Sequence, residues 1–444
     1  MNLDVDKQTL DDLAIFENGH SRQSVFNLFN HTKTIGGREK LAAIFNRPSS
    51  DPVRIKERIA VLQYLQVTDL LFQTDRNTLD FIEFYLNKPY HNQSFSVITG
   101  FLSKVIYRFN NNNDYYIIQR GIESTLEMLR SLQTLANSLA GELPQKLEEF
   151  RFAINDTFES ADFAWVMPLL KKEKLNAIET AKADHLFRRT ALSSMRTLLT
   201  IVYELDVYQS VSFSGKTLGF NLPAINTGEG NKLTIKGLFH PFIKRPVCND
   251  IAFDGGKNVF FITGTNMAGK STLLKSIGIA IYLSQLGFPV PAAYMETSVF
   301  NGLITTINLS DNIDDGQSHF YKEVLRVKQV AEKINSLNNV FVIFDELFRG
   351  TNVKDAYDAS LAIISAFAKV RSCFFLVSTH IVEVAHDLAK ITSIGFRYME
   401  TVYEVDTPKN SYLLKNGITE ERLGMWIVNN EKIIETIENA LNKK

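Results

Sequence analysis

Cysteine is scarce: only Cys248 and Cys373 occur in 444 residues, which excludes a disulfide framework and any Cys/His spacing suited to zinc. Both are read as small apolar core residues. No stretch approaches the roughly 20 uncharged apolar residues needed to span a bilayer. The start, "MNLDVDKQTLDDLAIF", lacks the basic opening and apolar middle of a secretory leader. The expected location is the cytoplasm, with no membrane partner. Charge of one sign is missing as well: 48 Lys and Arg stand against 49 Asp and Glu, a net charge of −1. That excludes a globally basic nucleic-acid coat protein, so any DNA contact must come from local patches.

Proline is sparse up to about Asn226, at Pro48, Pro52, Pro89, Pro144, Pro168 and Pro223, and apolar residues there recur at helical intervals, as in "ERIAVLQYLQVTDLLF". This half reads as an α-helical domain, with its main break expected at Asn110 to Asp114, "NNNND". After the Gly-rich connector Ile225 to Lys232 the pattern changes to short apolar runs, "LTIKGL", "DIAF", "NVFFITG", "VFVIFDE" and "CFFLVSTH", with helix-like stretches among the later ones. That alternation predicts an α/β domain with a mainly parallel sheet. The expected boundaries are 1–230 for the helical domain, 231–420 for the α/β domain and 421–444 for a terminal helical segment.

Within "ITGTNMAGKSTLL", Gly264, Gly269, Lys270 and Ser271 fit the pattern of a phosphate-binding loop between a strand and a helix. Glycines let backbone N–H groups close around phosphate oxygens, the helix start adds its dipole, Lys270 meets the β/γ charge and Ser271 can hold Mg²⁺. Downstream, "VFVIFDE" ends in Asp345, suited to the Mg²⁺ shell, and Glu346, suited to the attacking water. "FFLVSTH" ends in His380, at the sheet edge where ligands bind in such folds. Three strand-end features in this order favour an ABC-type ATPase, completed by a second subunit, over a small-molecule kinase.

The stretches "ITGTNMAGKST", "GFPVPA", "ITTINLSDNIDDGQSHFYKEVLRVKQVAEKI", "VFVIFDELFRGTN" and "VSTHIVEV" resemble the successive motifs of the MutS ATPase domain, in the same order. "DKQTLDDLAIFENG", the segment from Ser24 to Leu65 and "IVYELDVYQSVSF" resemble that family's helical lever, with a weakly matched middle at about 70–195 that reads as helix rather than as a β-ribbon clamp. The resemblance implies that Gly264, Thr265, Asn266, Met267, Ala268, Gly269, Lys270, Ser271 and Thr272 bind ATP phosphates and Mg²⁺. It implies that Asp345 and Ser271 hold the metal, that Glu346, His380 and Lys270 act in hydrolysis, and that Ser318 reaches a neighbouring subunit's nucleotide in a homodimer with composite sites. Four residues depart from the family pattern: Thr265 replaces proline, Ala268 glycine, His319 threonine and Phe348 glycine. The mismatch-reading and connector domains of mismatch-binding relatives are not matched, so the expectation is an ATPase engaging DNA through levers without reading sequence. Basic residues of the middle, Lys171, Lys172, Lys174, Lys182, Arg188 and Arg189, are its candidate phosphate contacts. The alternative is an ATP-gated dimeric switch holding a protein partner with its helical arms.

Overall fold

The structure is a computed structural model. It describes residues 1–17, 23–68, 72, 76–87, 112–172, 174–228, 230–254, 256–307, 319–348, 350–379, 381–404, 407–419 and 424–441. The chain divides into two compact units. One comprises Met1–Asn27, Arg47–Lys56 and Thr217–Lys444, the other Leu28–Asn46 and Glu57–Lys216.

The first unit carries strands β1 (Asp4–Val5), β2 (Ala224–Asn226), β3 (Leu233–Leu238), β4 (Asn249–Phe253), β5 (Val259–Thr263), β6 (Tyr294–Ser298), β7 (Gly302–Thr306), β8 (Val340–Phe344), β9 (Phe374–Ser378), β10 (Ile394–Glu404) and β11 (Thr407–Asn416). Seven form one sheet in the order β1-β7-β8-β9-β5-β10-β11, parallel throughout except for the β10/β11 hairpin. A smaller sheet has the order β2-β6-β3-β4. Every residue of β5, β7, β8 and β9 is buried, so these strands are apolar on both faces, which requires cover on both sides. Alternation divides the cover. Phe261, Phe344 and Phe375 join a core with Val330, Ile364, Phe367 and Val384 from the helices His319–Ser336, Val353–Phe367 and Val382–Leu388. Phe260, Phe341 and Phe374 meet Phe253 of the small sheet, at ring distances of 4.5, 5.3 and 5.1 Å. With β5, β8 and β9 parallel and in register, their C-terminal ends lie along one edge.

The first 27 residues and 47–56, expected with the helices, fall into this sheet-bearing unit. β1 joins the sheet beside β7, and a two-residue strand is too short to show any period. Cys248, expected in a core, is exposed, whereas Cys373 is buried.

The second unit is helical, including Ile35–Asn46, Arg76–Asn87, Asn112–Ser138, Gln145–Glu159, Ala177–His185 and most of Leu192–Leu218. Its core is mainly aliphatic, with Leu126, Leu129, Leu132, Leu198, Val202 and Leu205 buried, and also holds the rings of Tyr85, Phe163 and Phe187. The break expected at Asn110 to Asp114 is not a turn over its last three residues: the helix begins at Asn112, and residues 110–111 lie outside the described residues. Asn and Asp are favoured at helix starts because their side chains compete for the first free N–H groups. Asp206 fixes another helix start, accepting from Lys33 N (2.9 and 3.0 Å), Thr34 N (2.9 Å) and Thr34 Oγ1 (2.8 Å). A Cβ on Gly37 would lie 2.3 Å from Asp206 Oδ2, so that carboxylate can sit there only over a glycine.

Among the described residues no helix is long and apolar enough to cross a membrane.

Candidate nucleotide site

β5 runs into a loop whose conformation explains its glycines. Gly264 has φ +144° and Gly269 +97°. Cβ atoms there would stand 3.2 Å from Met399 Cβ and 3.1 Å from Tyr412 Cδ1. Met267 adopts φ +66° and is 87% exposed, so its strained backbone brings no packing of its side chain. Ala268 keeps an ordinary φ and is buried, so the family's glycine is not needed there. Thr265 is buried too, and its Oγ1 has no hydrogen-bond partner among the described residues.

The helix Lys270–Leu286 starts from Gly269 without a side-chain cap. A helix start leaves its first N–H groups unmet and carries partial positive charge, and both favour an anion. Lys270 is 5% exposed and its Nζ donates to Gly264 O at 2.8 Å and Thr265 O at 3.0 Å. Burial holds the Lys270 ammonium below its ordinary pKa, against the opposing pull of the Glu346 and Asp345 carboxylates. In front of the helix start lies a cavity of about 440 Å³, lined by Asn266, Met267 and Gly269 of the loop, by Lys270, Ser271 and Thr272 of the helix, and by Glu346.

The two acids stand at the end of β8. Asp345 N donates to Thr306 O at 2.9 Å, and Asp345 Oδ1 accepts from Ser378 Oγ at 2.5 Å. Glu346 N donates to Ser378 O and to Ser378 Oγ, both at 3.1 Å. Ser378, the fully buried last residue of β9, thus orients both acids, a role that its place inside an apolar run concealed. Glu346 has φ +58° and Phe348 +62°. The left-handed φ explains why a glycine suits position 348; here Phe348 takes it, buried, with its ring 5.6 Å from Phe320. Ser318 and His380 lie outside the described residues.

The loop is backed by the β10/β11 hairpin, which the sequence reading missed. Asn410 Nδ2 donates to Met267 O at 3.2 Å. Tyr412, with φ +59°, sets a ring against Gly269 while remaining 47% exposed. Asn249 holds this bend: its Nδ2 donates to Tyr412 O at 2.9 Å and its Oδ1 accepts from Leu414 N at 2.7 Å. The run "NSYLL" is neither a clean alternation nor a continuous apolar strand, and the positive φ at its centre is the reason.

The basic stretch of the helical unit needs one correction. Arg188 is not a surface contact. It is buried, with its Nε 2.7 Å and its Nη2 2.5 Å from the two Asp184 carboxylate oxygens, and its guanidinium lies over the Tyr85 ring at 5.2 Å. A one-residue widening of the helix at Leu186–Thr190 turns it inward. Lys171, Lys172, Lys174, Lys182 and Arg189 are exposed, although Lys172 pairs with Glu179 at 2.5 Å.

Two family models match the chain: MutS domain III over residues 8–212 and MutS domain V over residues 260–444. The MutS protein homolog 4 of Mus musculus is 24% identical, covering 95% of this chain and 50% of its own length. The DNA mismatch repair protein MutS of Thermosipho melanesiensis is 27% identical, covering 92% of this chain and 46% of its own. That of Halalkalibacterium halodurans is 28% identical over 63% of this chain and 34% of its own. The chain belongs to the MutS family. It spans about half the length, or less, of these curated relatives.

Proposed function

We propose that the chain is a Mg²⁺-dependent ATPase with a P-loop, ABC-type α/β domain and a helical lever domain, and that it couples ATP-driven changes in a homodimer to engaging DNA in repair or recombination. The observation that carries the reading is one cavity bordered by an uncapped helix start, a buried lysine and a strand-end glutamate. These are the groups that phosphoryl transfer needs, since its catalysis consists of positioning and charge stabilisation. The printed names of relatives, a DNA mismatch repair protein among them, support the DNA side.

The residues fit MgATP. First-turn N–H groups and Lys270, released from the Gly264 and Thr265 carbonyls, take the phosphate oxygens. Ser271 and Asp345 hold Mg²⁺, which when bound neutralises charge on the β- and γ-phosphates. Glu346, on the cavity wall, accepts the proton of the attacking water. The half-exposed ring of Tyr412 offers a stacking face for the base. His380 as the γ-phosphate sensor and Ser318 as the residue reaching a partner's nucleotide complete the set. The exposed lysines at 171, 172, 174 and 182, with Arg189, contact DNA phosphates without reading sequence. The setting is the cytoplasm, which suits a chain with two free cysteines.

The test is Glu346→Gln in the full chain. Turnover should fall at least about a hundredfold with ATP affinity kept, as expected when a group acts only on the transition state. Unchanged turnover removes Glu346 from the mechanism, and absence of ATP binding in the parent removes the whole reading. For the DNA role, mobility shifts on homoduplex, mismatched and branched DNA should weaken steeply with salt, and no shift on any of them would refute it.

A further inference from the structure

β1 pairs only with Gly302 and Leu303, so it stops short of the end of β7. Thr305 and Ile307 alternate with Leu303 and point their N–H groups to the same side, beyond the reach of β1. The helix Lys7–Asp12 meets them with side chains instead. Thr9 Oγ1 accepts from Thr305 N at 2.9 Å, and Asp12 Oδ2 accepts from Thr305 Oγ1 at 2.7 Å and from Ile307 N at 2.9 Å.

Arg326, on the helix His319–Ser336, closes the arrangement. Its Nη2 donates to Thr305 O at 2.7 Å, its Nε to Thr306 Oγ1 at 3.1 Å and its Nη1 to Asp6 Oδ2 at 2.5 Å. Asp6 also caps the first helix, accepting from Thr9 N at 2.9 Å. Burial pushes the Asp6 carboxyl up, but the hydrogen bonds from Arg326 and Thr9 outweigh it and leave the group below its ordinary range. On the opposite side of β7, Thr306 O accepts from Asp345 N. Thr9, Asp12, Thr305, Thr306, Arg326 and Asp345 are all buried.

Covering a sheet edge needs only a short strand, charged side chains or a helix laid over it, with no bond to any particular residue. Here the Asp12 carboxylate, the Thr9 hydroxyl and the planar Arg326 guanidinium converge on the Thr305–Ile307 segment that holds the backbone N–H of Asp345, with Asp6 fixing Arg326 from behind. A guanidinium spending its arms in three directions fixes what it holds, and lysine cannot reproduce that.

We propose that Thr9, Asp12 and Arg326 are positioning residues for Asp345. They fix Thr305–Ile307 from the edge of the sheet and thereby set where the Asp345 carboxylate stands, one residue before Glu346 of the cavity wall. The inference rests on the reading of Asp345 as the Mg²⁺ holder.

The test uses the full chain with Thr9→Val, Asp12→Asn and Arg326→Lys. It reads amide hydrogen exchange across residues 301–307, 340–346 and 374–378, and the binding of a fluorescent ATP analogue with EDTA and over a Mg²⁺ titration. The expected result is faster exchange at Asp345 with β9 unchanged, analogue binding in EDTA within about twofold of the parent, and half-saturating Mg²⁺ raised about tenfold or more, as for loss of a group that orients a metal ligand. Thr9→Val removes one hydroxyl at constant shape and keeps the test available if Arg326→Lys does not fold. Folded variants with parental Asp345 exchange and parental Mg²⁺ half-saturation overturn the inference, as does acceleration spread evenly over the sheet, the signature of edge support alone. A parent that binds the analogue equally with and without Mg²⁺ overturns the metal reading of Asp345 and this inference together. A Mg²⁺-responsive parent with insensitive variants overturns the inference alone.

Discussion

The two units place their costly features differently. Among the described residues, all seven non-glycine residues with left-handed φ belong to the sheet-bearing unit, and four of them gather at the site: Met267 and Glu346 line the cavity, Phe348 follows Glu346 by two residues and Tyr412 sets its ring against Gly269. The helical unit has none among its described residues; it buries charge, in the Tyr85–Asp184–Arg188 cluster and in Asp206, as the sheet-bearing unit does in Asp12, Lys270, Arg326 and Asp345, but without strained turns beside it. A buried parallel sheet fixes its strand ends firmly enough to impose strained turns, about 1–3 kcal/mol each, where chemistry needs an unusual direction. A helical bundle satisfies its backbone internally, so its specificity falls to side-chain polar contacts.

Breaking the buried charge should have the largest effect. Arg188→Met leaves Asp184 buried with, among the described residues, only the Tyr85 hydroxyl, 2.8 Å away, and should destabilise the helical unit by about 3–5 kcal/mol while ATP affinity is unchanged; denaturant melts followed with binding titrations measure both. The converse substitution, Lys270→Ala, should lower ATP affinity at least about a hundredfold, about 2.7 kcal/mol, with little effect on either unit's melting. If both substitutions altered both quantities, the division of roles between the units would fail.

A third effect depends on pH. Burial foremost, with Lys275 adding to it, pulls the His240 imidazole down to about 4. The unfolded chain then binds the proton at a higher pH than the folded one, so stability of the sheet-bearing unit is full above about pH 6.5 and declines as pH falls towards 4. His240 is partly exposed, so solvent screening limits the loss to about 2 kcal/mol. His240→Gln should flatten that slope, as read from melting temperatures between pH 4 and 7. The smallest effect concerns strain alone. Met267→Gly relieves a left-handed residue whose exposed side chain contributes no packing, and should stabilise by no more than about 1 kcal/mol after the added chain entropy.

Legibility followed the same contrast. The loop from Gly264 to Lys270 and the acids after "VFVIF" could be read because glycine conformation and continuous apolar runs are local signals. Ser378, Tyr412 and the Thr9–Asp12 edge could not, because each gains its role from a strand or loop distant in sequence. In the helical unit, apolar spacing indicated helices but did not separate a buried arginine from its exposed neighbours. Arg188 is one of six basic residues in that stretch, and only the wide turn at Leu186–Thr190 faces it inward.

By itself the sequence determined the alternation of buried strands and helices after residue 232, the phosphate-type loop and the acid pair, since hydrophobic period and backbone permissiveness are properties of neighbouring residues. Tertiary structure decided that the first residues edge the sheet, that the hairpin backs the Met267–Gly269 loop and that Ser378 and Thr306 orient Asp345. Those contacts follow from strand order, and the order in which parallel strands pair is set by how the whole core packs.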